Sequence, residues 1–266
     1  MVTYFKDGCV VITGAASGIG RETARVFARD GCIRLFLGDL SIDGLSETKN
    51  WILSEHPTAN IEVAVVNIAD EEAVEKFVQG AVTAFGHIDF AVNAAGFAHK
   101  AASVVDLSDG DWEKSYKVNL RGTFLCERAL LRQMIRQKPL PGYECRASIV
   151  NITSLCATIS IPGLTAYSAS KGGVLGMSKT DALDYGPDKI RINCIAPGTI
   201  ETPMSLNSLG ADYLKANAKL TPLNRNGQPE DVANAVAWLS SPHAGFITGI
   251  TLPVDGGLNL YTGPPV

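Results

Sequence analysis

The feature that most narrows the fold is a glycine-rich turn set between an apolar run and a helix-like stretch. Cys9-Val-Val-Ile-Thr13 carries no charge, the form of a strand covered on both faces. It runs directly into Gly14-Ala-Ala-Ser17-Gly18-Ile19-Gly20, after which Arg21 to Asp30 places Ala24, Phe27 and Ala28 at helical spacing. Glycines in the order G-x-x-x-G-x-G suit a strand-to-helix turn that receives a pyrophosphate. Gly14 permits the bend, Gly18 lets a backbone N–H approach the phosphates, and Gly20 lets the helix pack closely. The helix N-terminus then faces the negative charge. A plain strand-to-helix turn is the alternative.

The rest of the chain repeats this alternation. Apolar strands are expected at 35–37, 61–66, 90–93, 148–152, 191–195 and 250–254. Between them lie helical patterns: one capped by Ser41 and ending at His56-Pro57, and one capped by Asp70 with Val74, Phe77, Val78 and Val82 on a face. A long helix is expected from Asp109 to about Arg136, broken near Asn119, and further helices at 167–185 and from Pro229. Residues 203–228 read as irregular. Seven strands joined by crossover helices predict an α/β fold: a Rossmann-type, doubly wound parallel sheet with helices on both faces. No repeat or linker divides the 266 residues, so one domain spans 1–266.

Charge and cysteine usage exclude several functions. Lys plus Arg is 23 against 27 for Asp plus Glu, a net charge of −4, which does not suit nucleic acid or an anionic membrane surface as main partner. No apolar run is long enough to span a membrane. The polar start, Met1 to Gly8, lacks a basic leader, so the cytoplasm is the expected location. Cys9, Cys32, Cys126, Cys145, Cys156 and Cys194 form no C-x-x-C pair, and the four histidines form no ligand set, so no metal is expected.

Asp39 closes the second strand, 19 residues after Gly20. A carboxylate there accepts hydrogen bonds from both adenosine ribose hydroxyls and repels a 2′-phosphate, which selects NAD. Arg21 and Arg34 are the nearest bases and the caution to that reading. A helix cap is the other role open to Asp39. In Tyr167-Ser168-Ala169-Ser170-Lys171, Tyr167 and Lys171 share one helix face. An ammonium beside a phenol is expected to lower its pKa from about 10, making tyrosine a usable acid or base. Ser154, at the carboxyl end of the fifth strand, is placed to donate to a carbonyl oxygen.

The chain resembles the short-chain dehydrogenase/reductase family, short single-domain type, from Val10 to about Leu258. The resemblance rests on Thr13-Gly14-x-x-x-Gly18-x-Gly20, Asn93-Ala94-Ala95-Gly96, Asn119, Ser154, Tyr167-x-x-x-Lys171, Pro197-Gly198-x-Ile200-x-Thr202 and Val254-Asp255-Gly256-Gly257. It implies that Tyr167 exchanges a proton with the substrate oxygen. Lys171 lowers the Tyr167 pKa and binds the nicotinamide ribose, and Ser154 polarises the carbonyl. Asn119 anchors a water joining Lys171 to solvent. Asn93 and Gly96 lie along the adenosine; Ser17, Ile19, Ile68, Pro197 and Gly198 belong to the cofactor site; Ile200 and Thr202 hold the carboxamide. Two positions depart from the family pattern. Ala94 replaces an asparagine, and Asn67 replaces an aspartate that meets the adenine amino group, though its amide oxygen still accepts a hydrogen bond.

Substrate identity is expected to reside in residues 97–104, 155–164 and a lid at about 203–223. Phe97, Leu155, Cys156, Ile159, Ile161, Met204, Leu206, Leu209 and Tyr213 make these segments mainly apolar. A lipophilic cyclic alcohol or ketone, such as a terpenoid, steroid or polyketide, fits better than a phosphorylated one. His99 either contacts substrate or is a solvated loop residue. The lid is expected to be mobile, with Gly210 as hinge, against the alternative of two docked short helices. Small residues along 169–178 and the resemblance together imply a homotetramer. The competing functions are an NADPH-dependent ketone reductase and a dinucleotide-binding scaffold or isomerase.

Overall fold

The computed structural model describes residues 4–159 and 161–260. Met1–Thr3 of the polar start and Ser160, within the segment between Ser154 and Tyr167, lie outside them. The strands are β1 Cys9–Thr13, β2 Arg34–Asp39, β3 Asn60–Val65, β4 Phe90–Asn93, β5 Ala147–Ile152, β6 Ile190–Pro197 and β7 Thr251–Val254. The helices are α1 Gly18–Arg29, α2 Ile42–Glu55, α3 Glu71–Phe85, α4 Asp109–Ser115, α5 Thr123–Met134, α6 Thr165–Tyr185, α7 Pro203–Leu209, α8 Ala211–Leu220 and α9 Pro229–Ser240. All strand pairs are parallel, in the order β3-β2-β1-β4-β5-β6-β7. This is the expected doubly wound Rossmann-type sheet, a single Rossmann-like domain.

Period-two alternation sorts the side chains into two layers. Val10, Ile12, Leu35 and Leu37 point to the layer shared with α1, α2 and α9. Val11 and Phe36 point to the opposite layer, with α3 and α5. Phe27 stacks on Phe5 at 4.4 Å between ring centres, and Phe90 meets Phe5 edge-on at 4.9 Å. Truncating Phe27 to alanine in such a cluster costs roughly 3–5 kcal/mol. Ser41 and Asp70 cap α2 and α3, accepting from Gly44 N and Ala73 N. Among the described residues no helix is long and apolar enough to cross a membrane.

Two regions differ from the sequence reading. The long helix around Asn119 is not simply broken: α4 passes into a π-helical turn, Tyr116–Gly122, which leads into α5. Such turns insert one extra residue per turn and reorient the side chains they carry. Residues 203–228 are not wholly irregular, because α7 and α8 occupy most of the first part. Thr202 caps α7 and Ser205 returns the bond in a capping box. α7 buries no side chain and α8 buries only Asn217. Helices with so little buried surface leave no apolar period to read.

Candidate functional site

The chain leaves β1 toward β2 and β3 on one side, and continues from β4 toward β5, β6 and β7 on the other. The carboxyl ends of β1 and β4 therefore flank the crevice where open α/β sheets bind ligands. A cavity of about 270 Å³ lies there, lined by Gly14, Ser17, Gly18, Ile19, Gly20, Asp39, Asn67, Ile68, Gly96 and Thr202. Leu40, Val66 and Val118 also line it, and sequence reasoning missed them. Nothing in their residue types marks them; β2–β3 pairing and the π-helical turn bring them in.

The glycine turn fits a bound pyrophosphate. Gly14 has φ +72°, and a Cβ there would lie 2.6 Å from the backbone nitrogen of Ala95. A Cβ on Gly20 would strike the Gly14 carbonyl, so this glycine lets the turn fold back on itself rather than pack on the sheet. Ser17 begins α1 without a side-chain cap, and the first turn has no acidic residue. The leading N–H groups and positive helix end stay available to an anion.

Asp39 faces the same cavity from the end of β2. Its Oδ2 accepts from Ala16 N and its Oδ1 from Ser41 N, both at 3.1 Å. These bonds fix the carboxylate and leave each oxygen a second lone pair. Ser41 fills the cap of α2, so Asp39 is not that cap. Arg21 is turned onto α2: it bonds Thr48 Oγ1 at 2.9 Å, pairs with Glu47 at 3.0 Å and holds the Ala16 carbonyl. Arg34 sits at the start of β2 and bonds the Asp7 carbonyl at 3.0 Å. Asn67 Oδ1 accepts from Ala69 N at 3.1 Å, so the oxygen expected to face adenine is shared with a local turn.

The cleft continues into a second cavity of about 130 Å³ that shares Ile19, Ala94, Gly96, Thr202 and Met204 with the first. Ser154, Tyr167, Lys171, Pro197, Gly198 and Ile200 line it. Ser154 follows β5, and its Oγ accepts from Cys156 N at 3.1 Å at the head of a short 3₁₀ turn. Lys171 Nζ donates to the Ile152 carbonyl at 2.8 Å and stands 5.9 Å from the Tyr167 ring centre. Asn119 Oδ1 accepts from Phe97 N at 2.7 Å, and its Nδ2 donates to Phe97 O at 2.9 Å and Ser170 Oγ at 3.0 Å. The π-helical turn thus pins the segment after β4 against α6. Both Asn119 amide protons are spent on protein, so any water it anchors must meet an acceptor.

Electrostatics depart from the sequence expectation. Apolar surroundings push the Tyr167 phenol up to about 12, with the Cys156 thiol acting the same way and the Ser154 hydroxyl opposing it. Burial brings Lys171 down to about 8. Burial, rather than the Lys171 charge, is the largest influence on the Tyr167 phenol here. The Lys171 charge is itself disfavoured by burial, and its Nζ faces the Ile152 carbonyl. Burial also raises the Cys156 thiol, which suits a pocket wall rather than a nucleophile.

Other expected positions fall elsewhere. Asn93 is buried and donates to Asn151 Oδ1 at 2.8 Å, lining neither cavity. His99 is buried with Nδ1 on the Lys100 carbonyl at 2.8 Å, so it is neither a solvated loop residue nor a pocket group. Phe97, Ile159, Leu206 and Tyr213 do not line the catalytic-side cavity, whereas Leu155, Cys156, Ile161, Met204 and Leu209 do. Leu164 and Leu258 join them. Among the described residues no cluster of His, Cys, Asp or Glu is placed to hold a metal.

A family model described as enoyl-(acyl carrier protein) reductase matches residues 14–259. A 3-oxoacyl-(acyl-carrier-protein) reductase of Thermotoga maritima is 36% identical over 93% of this chain and 96% of its own. A 3beta-hydroxysteroid dehydrogenase 1 of Eggerthella lenta is 35% identical over 99% and 98%. The crystal structure of levodione reductase superposes with a TM-score of 0.92 at 33% identity, covering 97% of this chain and 100% of that one. The chain belongs to the short-chain dehydrogenase/reductase family. It is an oxidoreductase of that family, whose members use NAD or NADP on small-molecule substrates. In this short-chain dehydrogenase/reductase the two departures from the family pattern have a place: Ala94 forms a wall common to both halves of the cleft, and Asn67 lines the half that holds the glycine turn and Asp39.

Proposed function

We propose that this oxidoreductase is an NAD-dependent dehydrogenase that interconverts an apolar, cyclic secondary alcohol and its ketone. The observation that carries the reading is the Asp39 carboxylate. It is fixed at the ribose end of a cleft whose other end holds Ser154, Tyr167 and Lys171, and both nearby arginines are engaged elsewhere. An NADPH-dependent reductase would need a cation beside Asp39. NAD, when bound, supplies a nicotinamide C4 that accepts the hydride from the carbinol carbon.

The chain's own residues do the rest. Asp39 accepts from the ribose hydroxyls, and the Gly14–Gly20 turn and the N-terminus of α1 hold the pyrophosphate. Ser154 Oγ donates to the substrate oxygen. Tyr167 takes the hydroxyl proton during oxidation and returns it during reduction. Lys171 Nζ, near Gly96, would bind the nicotinamide ribose in this reading. Ile200 and Thr202 border the carboxamide. The substrate wall of Leu155, Ile161, Leu164, Met204 and Leu209 is apolar, which supports a lipophilic substrate. Relatives named for a hydroxysteroid and for levodione support the same class. A cytoplasmic homotetramer is the assembly this reading favours, with exposed Leu183 on α6 and Trp238 on α9 as covered positions.

The test mixes the protein with NAD or NADP and a panel of cyclic secondary alcohols, following absorbance of the reduced cofactor. Turnover with NAD at least about tenfold above NADP is expected. Equal use of both, or turnover only of phosphorylated alcohols, would overturn the reading.

A further inference from the structure

The cavity that holds the glycine turn and Asp39 is also lined by Asn67, an exposed residue just beyond the end of β3. Asn67 Oδ1 accepts from Ala69 N at 3.1 Å, and the Asn67 main-chain carbonyl accepts from Asp70 N at 3.0 Å. Only the oxygen of a side-chain amide accepts from a backbone N–H, so the first bond decides which end of the side chain is which. The turn is also held from outside. Arg121 donates to the Ala69 carbonyl at 2.9 Å, and Asp70 caps α3 by accepting from Ala73 N. A Cβ on Gly122 would lie 2.9 Å from Ile68 Cδ1, so the π-helical turn packs directly on the residue next to Asn67. The amide oxygen is thus committed to the chain. Among the described residues Asn67 Nδ2 has no protein acceptor, and it brings two donors to the cavity.

Leu40, Ile68 and Val118 line the same cavity, apolar surfaces that suit the faces of a flat base. On the proposed NAD reading, on which this inference rests, the purine of the cofactor lies beyond the ribose held by Asp39 and turns an edge to Asn67. Adenine presents ring nitrogens that accept and a 6-amino group that donates; a 6-oxopurine puts an accepting oxygen in place of that amino group. The Asn67 amino group pairs with a ring nitrogen or a 6-oxo oxygen, and has nothing to receive a 6-amino group. An aspartate at this position would keep one oxygen for Ala69 N and offer the base a second, an acceptor only. We infer that Asn67 reads the purine edge as a hydrogen-bond donor, so that the cofactor site does not require the 6-amino group and takes a 6-oxopurine dinucleotide nearly as tightly as NAD.

Calorimetric titration of the full chain with NAD and with nicotinamide hypoxanthine dinucleotide gives both Kd values without turnover. In the wild type the hypoxanthine form is expected to bind less than about fivefold more weakly than NAD, and Asn67→Asp is expected to widen that ratio at least about tenfold further, the scale of a hydrogen bond to a charged group. Asn67 is exposed and the change is isosteric, so the variant keeps the fold. The ratio cancels any general weakening from a new carboxylate near Asp39. A larger wild-type ratio would show that Oδ1 still receives the amino group. A smaller widening in the variant would show that the base edge lies away from Asn67. Either result overturns the inference and leaves NAD binding standing. Binding of NADP with neither of the two dinucleotides would overturn it together with the NAD reading.

Discussion

Lys171 Nζ spends a hydrogen bond on the Ile152 carbonyl at 2.8 Å while standing 5.9 Å from the centre of the Tyr167 ring. The half-buried phenol is raised to about 12, chiefly by burial. On the proposed function, alcohol oxidation is therefore expected to climb as pH rises from 7 to 10, because that mechanism uses the ionised phenol as proton acceptor. Tyr167→Phe should lower turnover by roughly 10²–10⁴ while NAD affinity barely changes. A flat pH profile, or an active Tyr167→Phe enzyme, would remove Tyr167 from the proton path.

The depressed Lys171 makes its burial a stability cost. A base whose folded pKa drops from 10.5 to about 8 favours folding above the unfolded value, and that contribution is lost as pH falls through 8. At pH 7 the buried ammonium costs roughly 3 kcal/mol at most, offset by its bond to Ile152. Lys171→Met should accordingly melt no lower than wild type at pH 7 while losing both turnover and NAD affinity. A large drop in Tm would show that the lysine is there for the fold.

Asp39 should decide cofactor choice. Asp39→Ala together with Leu40→Arg is expected to move the NAD-to-NADP ratio of kcat/KM by at least about a hundredfold toward NADP. The double variant removes the repulsive carboxylate and supplies a cation that pairs with phosphate. An unchanged ratio would mean that the ribose end of the cofactor lies elsewhere.

Glu127 on α5 is fully buried, with Oε2 held by Asn151 Nδ2 at 2.5 Å and Oε1 left without a donor. Burial raises its pKa, and the facing Asp181 on α6 is raised as well. For an acid raised in the fold, stability is greatest below the unfolded value of about 4.3 and falls as pH climbs through the folded one. Stability should thus decline between about pH 4.3 and about 8, by up to about 1.4 kcal/mol per pH unit, and level off above that. Glu127→Gln, which keeps an acceptor for Asn151 and donates to Asp181, should flatten the decline. A slope identical in wild type and variant would exclude this pair.

Between α7 and α8, Gly210 has φ +86° and ψ 162°, a conformation essentially confined to glycine. Gly210→Ala should strain the joint by roughly 1–3 kcal/mol and shift kcat and KM together. Hydrogen exchange over residues 203–220 should slow when NAD and substrate are both added. Strong protection that ligands leave unchanged would make the two helices a fixed wall.

The fold was legible because its signals are local. Apolar runs mark β1, β4, β5 and β6, the glycine turn marks their direction, and Ser41 and Asp70 announce their helices. What escaped depends on contacts that no spacing records. Asn93 looks like a cleft residue, but its β-strand register places it opposite Asn151, so the side chain turns inward. His99 looks like a loop residue, yet burial and the Lys100 carbonyl claim it. Leu258 reaches the cleft from beyond the last strand, across more than 80 residues from Lys171. The sign of the Tyr167 shift also escaped, because helical spacing brings Lys171 onto the right face without saying how dry that face is.

Thr202 does two jobs at one spot. Its Cγ2 lies 3.3 Å from where a Cβ on Gly18 would stand, and its Oγ1 caps α7. The first turn of the helix over the substrate compartment therefore rests on the floor of the phosphate turn. Filling the phosphate turn and seating that helix are consecutive events in one crowded space. On the proposed function this coupling favours one sequence of events, in which the dinucleotide fills the phosphate turn before substrate is covered.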